Sequence, residues 1–246
     1  MLVYGEYQWF QAIIYPIIDV LAILAVVFAV KSLIKIKRQH KMPEAKKMLS
    51  RVFLLFSIGL ILWVVAELGW DIWAFTAGET PGISFLDILW AAGYFFTIPA
   101  FLIFTTFILK KHKNLKKGLL GVGAAALVTA VMTFVLVAFI IAQGIEDASG
   151  LELFIYFFYP IASVLMVVSA SSVYLFFRQI KPLSLPLLLL ALGTLASFFG
   201  DTLFTYYDWN GIYGWAGALS DIFYAMDYGL WAVAFYTFSN KLEGKR

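Results

Sequence analysis

Long runs of apolar residues recur along this chain and limit the folds that it can adopt. The run from about Gly118 to Gln143 contains no charged residue at all. About 20 apolar residues in a helix are enough to cross the roughly 30 Å hydrocarbon core of a bilayer. Charged residues make up 13% of the chain, whereas a soluble domain carries about 25%. These features predict an all-α integral protein of the cell membrane that crosses the bilayer several times.

The apolar runs predict seven transmembrane helices within one membrane domain, residues 1–246. Turn residues such as glycine and proline, or clusters of charge, separate one run from the next. The helices are expected at about residues 8–34, 52–76, 83–109, 118–143, 151–177, 186–209 and 218–239. The chain has no cysteine, which excludes disulfides and thiolate metal sites. No cofactor is expected, and the sequence does not identify a metal.

The basic residues predict the orientation of the chain in the membrane. All 18 lysines and arginines fall at loops or helix ends that the predicted topology puts on one face. They lie in residues 31–51, 110–117, 178–181 and 241–246. Loops rich in lysine and arginine stay on the cytoplasmic side. The C-terminus is therefore expected in the cytoplasm and, with an odd number of helices, the N-terminus outside.

Comparison of the chain with itself predicts a parallel internal repeat. Residues 8–110 would form a first three-helix unit and residues 151–239 a second, joined by a linker helix at 118–143. Tyr15-Pro16-Ile17 in the first unit matches Tyr159-Pro160-Ile161 in the second. Sites in membrane proteins built from repeats often lie between the two units.

Two helical hairpins rich in acidic and aromatic residues are the strongest part of this repeat. Near the start of the third predicted helix stand Asp87, Trp90 and Tyr94, and near the start of the seventh stand Asp221, Tyr224 and Tyr228. The shared spacing of three and then four residues places each acid and its two rings on one face of a helix.

Further acids in the predicted membrane segments extend this pattern. They are Glu67 and Asp71 in the second helix, Asp201 in the sixth and Asp227 in the seventh. A charged carboxylate costs at least about 2.5–3.5 kcal/mol in the bilayer, and no lysine or arginine lies within the membrane to pair with these. The acids are therefore expected to face the bundle interior. Together with the two hairpin triads they predict a ligand-binding pocket for a small external cation or amine, since ring faces also attract cations.

A structural interpretation of the same residues stays open. Asp87 and Asp221 lie where a carboxylate would cap the free amides at a helix start. The nearby tryptophans and tyrosines also fit an aromatic belt at the membrane surface.

The second hairpin has a recognisable order: Gly200-Asp201, several aromatics, Gly211-Ile212-Tyr213-Gly214, and then Asp221. This order resembles the multi-pass membrane regions that precede diguanylate cyclase or histidine kinase domains. The resemblance covers mainly residues 190–238 and, more loosely, 60–101. It implies a sensory module, and because this chain ends at Arg246, its output would pass to a separate cytoplasmic partner.

Three functions therefore remain open on the sequence. The first is a sensor or receptor-like module that binds a small cation or amphipathic ligand between the repeats. The second is a transporter or channel with a three-plus-one-plus-three arrangement that resembles the SWEET proteins, in which Asp19, Glu67 and Asp227 would form an ion path. The third is a structural membrane subunit. No enzymatic activity is expected, and the lipid bilayer, but no nucleic acid, is an expected partner.

Overall fold

The computed structural model describes residues 2–38, 43–77, 84–111, 149–178, 181–210 and 217–243, with single positions between these ranges. The described ranges form helices and contain no strand. The helices are α1 (Leu2–Arg38), α2 (Pro43–Ala77), α3 (Phe85–Lys111), α4 (Gly150–Phe177), α5 (Lys181–Trp209) and α6 (Ala218–Glu243). The predicted helix at 118–143 lies outside the described residues except for seven scattered positions, all of them helical.

Three helices start at least five residues earlier than the sequence analysis expected. α1 begins at Leu2, α2 at Pro43 and α5 at Lys181, rather than near residues 8, 52 and 186. Much of the predicted basic loop is therefore helical. Lysine, arginine, alanine and methionine all favour helices, and a proline such as Pro43 suits the first helical position, where its missing amide has no helical partner.

Five of the described helices are long and apolar enough to cross a membrane. The candidate spans are Trp9–Arg38, Glu44–Ala77, Phe85–Phe107, Gly150–Phe177 and Leu183–Trp209. α6, which carries Asp221 and Asp227 in its first half, is not among them. The all-α membrane class expected from the sequence agrees with these helices.

The six described helices form a closed ring. Each packs against the next in the chain, and α6 returns to pack against α1. At this closing contact α1 presents a stripe of buried small residues, Ala22, Ala25, Ala29 and Ser32. Small residues let membrane helices approach closely. The Ser32 hydroxyl donates to the Phe235 carbonyl oxygen of α6 at 3.2 Å.

Aromatic side chains fill the middle of the ring. Phe56 packs against Phe101, Trp231 and Phe235, with ring centroids 4.8–5.7 Å apart. All four residues are almost fully buried. Each such pair contributes about 0.5–1.5 kcal/mol beyond the burial of its area. This aromatic layer separates the acidic end of the ring from the basic residues in the last turns of α1 and α6.

Candidate functional site

A cavity of about 210 Å³ lies at the end of the ring opposite the basic helix termini. Side chains from all six described helices line it, and Gly214 and Gly217 of the α5–α6 connection close its rim. All ten residues that the sequence analysis placed in a ligand pocket line this cavity: Glu67, Asp71, Asp87, Trp90, Tyr94, Asp201, Asp221, Tyr224, Asp227 and Tyr228. The two spacing-defined triads therefore face one common space.

The cavity wall is acidic and aromatic. Among the described residues that line it there is no lysine or arginine, and seven carry a carboxyl group: Glu67, Asp71, Asp87, Asp201, Asp208, Asp221 and Asp227. Ring pairs stand between these carboxyls, among them Trp63 with Tyr94 at 5.2 Å and Trp70 with Trp90 at 5.6 Å between centroids. A cation in this space would meet negative charge and the electron-rich faces of rings together.

Glu67 accepts hydrogen bonds from both halves of the ring, where the first half is α1–α3 and the second half is α4–α6. Its Oε1 accepts the indole N–H of Trp90 on α3 at 3.2 Å and the hydroxyl of Tyr228 on α6 at 2.9 Å. Glu67 therefore joins α2, α3 and α6 through a single oxygen atom.

Asp201 on α5 is held in a corresponding way. Its Oδ1 accepts the hydroxyl of Tyr224 on α6 at 3.0 Å. Its Oδ2 accepts the hydroxyls of Tyr94 on α3 and Ser163 on α4. Trp90 and Tyr224, three residues after Asp87 and Asp221, each bind the acid of their own half, Glu67 and Asp201 respectively. Tyr94 and Tyr228, four residues further, each bind the acid of the other half. These last two hydrogen bonds, each from a tyrosine of one half to the acid of the other, are the exchanged tyrosine bonds that connect the two halves.

Asp87 has the capping role that the structural interpretation proposed. Its Oδ2 accepts the backbone N–H of Ser84 at 2.8 Å at the start of α3. Its Oδ1 accepts the hydroxyl of Tyr159 on α4 at 2.9 Å. This carboxylate fixes the first turn of α3 and ties it to α4.

Three of the lining carboxyls each keep an oxygen without a partner among the described residues. These atoms are Asp71 Oδ2, Asp221 Oδ2 and Asp227 Oδ1. Asp71 is 8% exposed and Asp227 is 3% exposed, so water does not freely solvate them. An unpaired buried acceptor costs about 1–3 kcal/mol, and more when it is charged. A bound donor or cation would offset that cost.

Asp19 lies next to this group but does not line the cavity. It sits on α1, where its carboxyl hydrogen-bonds with that of Asp71 once one of the two carries a proton; no described N–H or hydroxyl group donates to its Oδ1. Asp19, which the transporter interpretation places in an ion path, therefore contacts the lining residue Asp71 without lining the cavity itself.

In comparisons with known proteins, no protein-family model, curated protein or solved structure matches this chain.

The structure adds site residues that the sequence analysis did not name. Asp208 accepts the hydroxyl of Tyr156, and Tyr159 and Ser163 supply the α4 bonds described above. Asp208 follows Asp201 by seven residues and so shares its helical face. Tyr159 belongs to the Tyr-Pro-Ile match between the two predicted repeats, but that match does not indicate its hydrogen bond to Asp87.

A metal site finds no support in the geometry. Within the described ranges, no three histidine, cysteine, aspartate or glutamate side chains come close enough together to hold a metal ion. The lining carboxyls come from four helices, α2, α3, α5 and α6, and tryptophan and tyrosine rings line the same cavity, an arrangement that suits an organic cation.

Proposed function

We propose that this protein is a membrane sensor or receptor-like module that binds a small organic amine in its acidic, aromatic cavity. The observation that carries the proposal is the set of three buried carboxylate oxygens to which no described N–H or hydroxyl group donates, Asp71 Oδ2, Asp221 Oδ2 and Asp227 Oδ1. All three residues line the cavity, and none of its described lining residues is basic. An ammonium group supplies donors and positive charge, and the surrounding rings supply cation–π attraction.

The volume of the cavity limits the size of the amine. A cavity of about 150 Å³ takes benzene, and drug-sized ligands occupy about 300–1,000 Å³. The cavity here, about 210 Å³, falls between them. It suits an amine with a short chain or a single ring.

The charge distribution supports access from outside the cell. The basic clusters stand at the far end of the helices, with Lys35, Lys37 and Arg38 in the last turn of α1 and Lys241 in the last turn of α6. By the positive-inside rule that end is cytoplasmic. We infer seven spans, with the predicted helix at 118–143 reversing the chain so that two parallel three-helix repeats enclose the cavity. The exchanged tyrosine bonds support this repeat.

The aromatic layer below the cavity favours binding over an open channel. Phe56, Phe101, Trp231 and Phe235 are each at most 1% exposed and pack edge to face. A ligand in the cavity would alter the contacts between the halves, and the cytoplasmic loops would pass that change to a partner.

Transport is a second candidate, and one observation favours it. Asp227 lies six residues deeper along α6 than Asp221, about 9 Å at 1.5 Å per residue, and it has its own unpartnered oxygen. It could form an inner step for a cation once the aromatic layer opens. Uptake of labelled amine by proteoliposomes, lost in Asp227→Asn, would establish transport. Binding of the amine without any uptake would exclude transport and favour the sensor.

The Asp71→Asn change tests the proposed site. Purified protein in nanodiscs would be titrated with phenethylamine by calorimetry. Wild type is expected to bind phenethylamine. Asp71→Asn is expected to bind it with an affinity lower by a factor of about ten or more, because a charge-assisted bond is lost.

Glu44→Gln provides the matched control, since Glu44 is an exposed carboxylate in the first turn of α2, at the opposite end of the bundle. It should bind phenethylamine like wild type. Equal affinities for wild type, Asp71→Asn and Glu44→Gln would contradict the proposed site.

A further inference from the structure

The carboxyls of the cavity divide into two classes by their hydrogen bonds. Glu67, Asp87, Asp201 and Asp208 each accept hydroxyl or N–H donors from other parts of the chain. Asp71, Asp221 and Asp227 each keep an oxygen to which no described N–H or hydroxyl group donates, although the Asp71 carboxyl also lies against that of Asp19. The first class holds the helices together, so only the second class has acceptors available for a ligand.

The free oxygens lie in two separate places. Asp71 lies near the end of α2 and Asp221 in the first turn of α6, so both line the cavity close to its rim and form one acidic position there. Asp227 lies about 9 Å deeper along α6, beside Ser197 of α5. From Asp221 to Asp227 the helix makes one full turn and about 240° of the next, so the two side chains leave α6 in different directions. Asp227 approaches the cavity from the side of α5. It forms a second acidic position, close to the Asp201 and Glu67 carboxyls, which are themselves held by hydroxyl and N–H donors.

The region between these positions offers ring surface. The indole of Trp63 packs against the rings of Tyr94 and Tyr228, with centroids 5.2 and 6.4 Å apart. Both tyrosine hydroxyls are already donated, to Asp201 and Glu67 respectively. The middle of the cavity therefore presents rings whose polar atoms are satisfied, which suits an apolar linker.

We propose that the preferred ligand is a linear aliphatic diamine that spans both acidic positions. This inference rests on the proposed function and deepens it. One ammonium group lies between Asp71 and Asp221, the methylene chain lies along Trp63, Tyr94 and Tyr228, and the second ammonium group binds Asp227 Oδ1. A monoamine satisfies one position and leaves the other acceptor buried without a partner, which is costly. The diamine satisfies both within one molecule.

Trp231 offers a competing account of Asp227. Its indole N–H, one turn deeper on α6, also has no partner among the described residues. The Asp227 Oδ1 and Trp231 Nε1 atoms both lie within 3.1 Å of the point where a Gly193 side chain would begin. A water between them would satisfy both atoms, and Asp227 would then contribute nothing to ligand choice.

Calorimetry on the full chain in nanodiscs distinguishes these accounts. Putrescine, cadaverine and hexamethylenediamine would each be compared with the monoamine of the same carbon number. Wild type is expected to bind at least one diamine about tenfold more tightly than its monoamine, because a second charge-assisted bond forms. In Asp227→Asn this preference should disappear, so that a diamine and its monoamine bind about equally, and measurable binding of both also shows that the variant is folded.

Glu44→Gln is the control here too. It neutralises an exposed carboxylate at the opposite end of the bundle, so the diamine preference should persist. If diamines and monoamines bind wild type equally, or if Asp227→Asn keeps the preference, the diamine proposal is overturned while amine binding at Asp71 stands. If no amine binds wild type, the proposed function fails together with it.

Discussion

Single hydroxyl groups link the two halves of this molecule. Tyr228 reaches Glu67 across 161 positions of sequence, and Tyr94 reaches Asp201 across 107. The two acids are not equally protected. Glu67 would keep only the Trp90 indole if Tyr228 were lost, whereas Asp201 would keep both Tyr224 and Ser163 if Tyr94 were lost.

We therefore expect Tyr228→Phe to destabilise the fold more than Tyr94→Phe. Interhelical hydrogen bonds in membrane proteins are worth about 0.6 kcal/mol on average and at most about 1.7. Tyr228→Phe should fall in the upper part of that range, and Tyr94→Phe in the lower part. Reversible unfolding in mixed micelles would measure both.

Tyr236→Phe serves as the control for these two variants, because Tyr236 is 47% exposed on the outer face of α6 and should cost nothing measurable. Equal losses from all three changes would mean that the exchanged bonds do not hold the halves together.

At the scale of helices, two glycine–tryptophan contacts set how closely neighbours approach. A side chain at Gly93 on α3 would begin 2.0 Å from Trp63 Nε1 of α2, and one at Gly193 on α5 would begin 2.2 Å from Trp231 of α6. The Trp63 N–H also donates to the Trp90 carbonyl oxygen at 2.9 Å. Each half thus buries a tryptophan against a bare backbone, beside the floor of the cavity.

Gly93→Ala is expected to destabilise the protein by about 1–3 kcal/mol, the usual cost of overpacking. The rigid Trp63 ring must move and give up its bond to Trp90. Thermal unfolding would show the loss as a lower Tm. Gly123→Ala is the control, because a side chain there meets no atom of the described residues within 4 Å; alanine at this helical position should be neutral or slightly stabilising. A Gly93→Ala variant as stable as wild type would contradict the close approach of α2 and α3.

Glycine–tryptophan packing of this kind was not predictable from the sequence. A glycine within an apolar helix has several roles, and only the neighbouring helix decides among them. The helices themselves were largely predictable, because their length and apolar content depend on local sequence alone. Their ends were less so: the basic residues before Arg51 were expected in a loop, yet they extend α2 back to Pro43.

At the scale of the whole molecule, acidic and basic residues occupy opposite ends of the same helices. α4 illustrates this polarity, since its N-terminal end carries the Ser149–Glu152 capping box and its C-terminal end meets Arg178. The proposed topology puts the first end outside the cell and the second in the cytoplasm.

Cysteine labelling at the two ends of α4 tests that topology. The chain has no native cysteine, and Gly150 and Arg178 are both exposed. In intact cells a membrane-impermeant maleimide should label Gly150→Cys and leave Arg178→Cys unlabelled. After permeabilisation both should react. The reverse pattern in intact cells would show that the cavity opens to the cytoplasm.

The sequence by itself determined the membrane class, the separation of charge between helix ends and the helical faces of the two hairpin triads. All three follow from composition and from the 3.6-residue period of a helix, which are local properties. The tertiary structure alone decided which carboxyls are held by tyrosines and which keep a free oxygen. That division depends on contacts between residues more than a hundred positions apart, since a hydrogen bond is made across space and leaves no period in the chain.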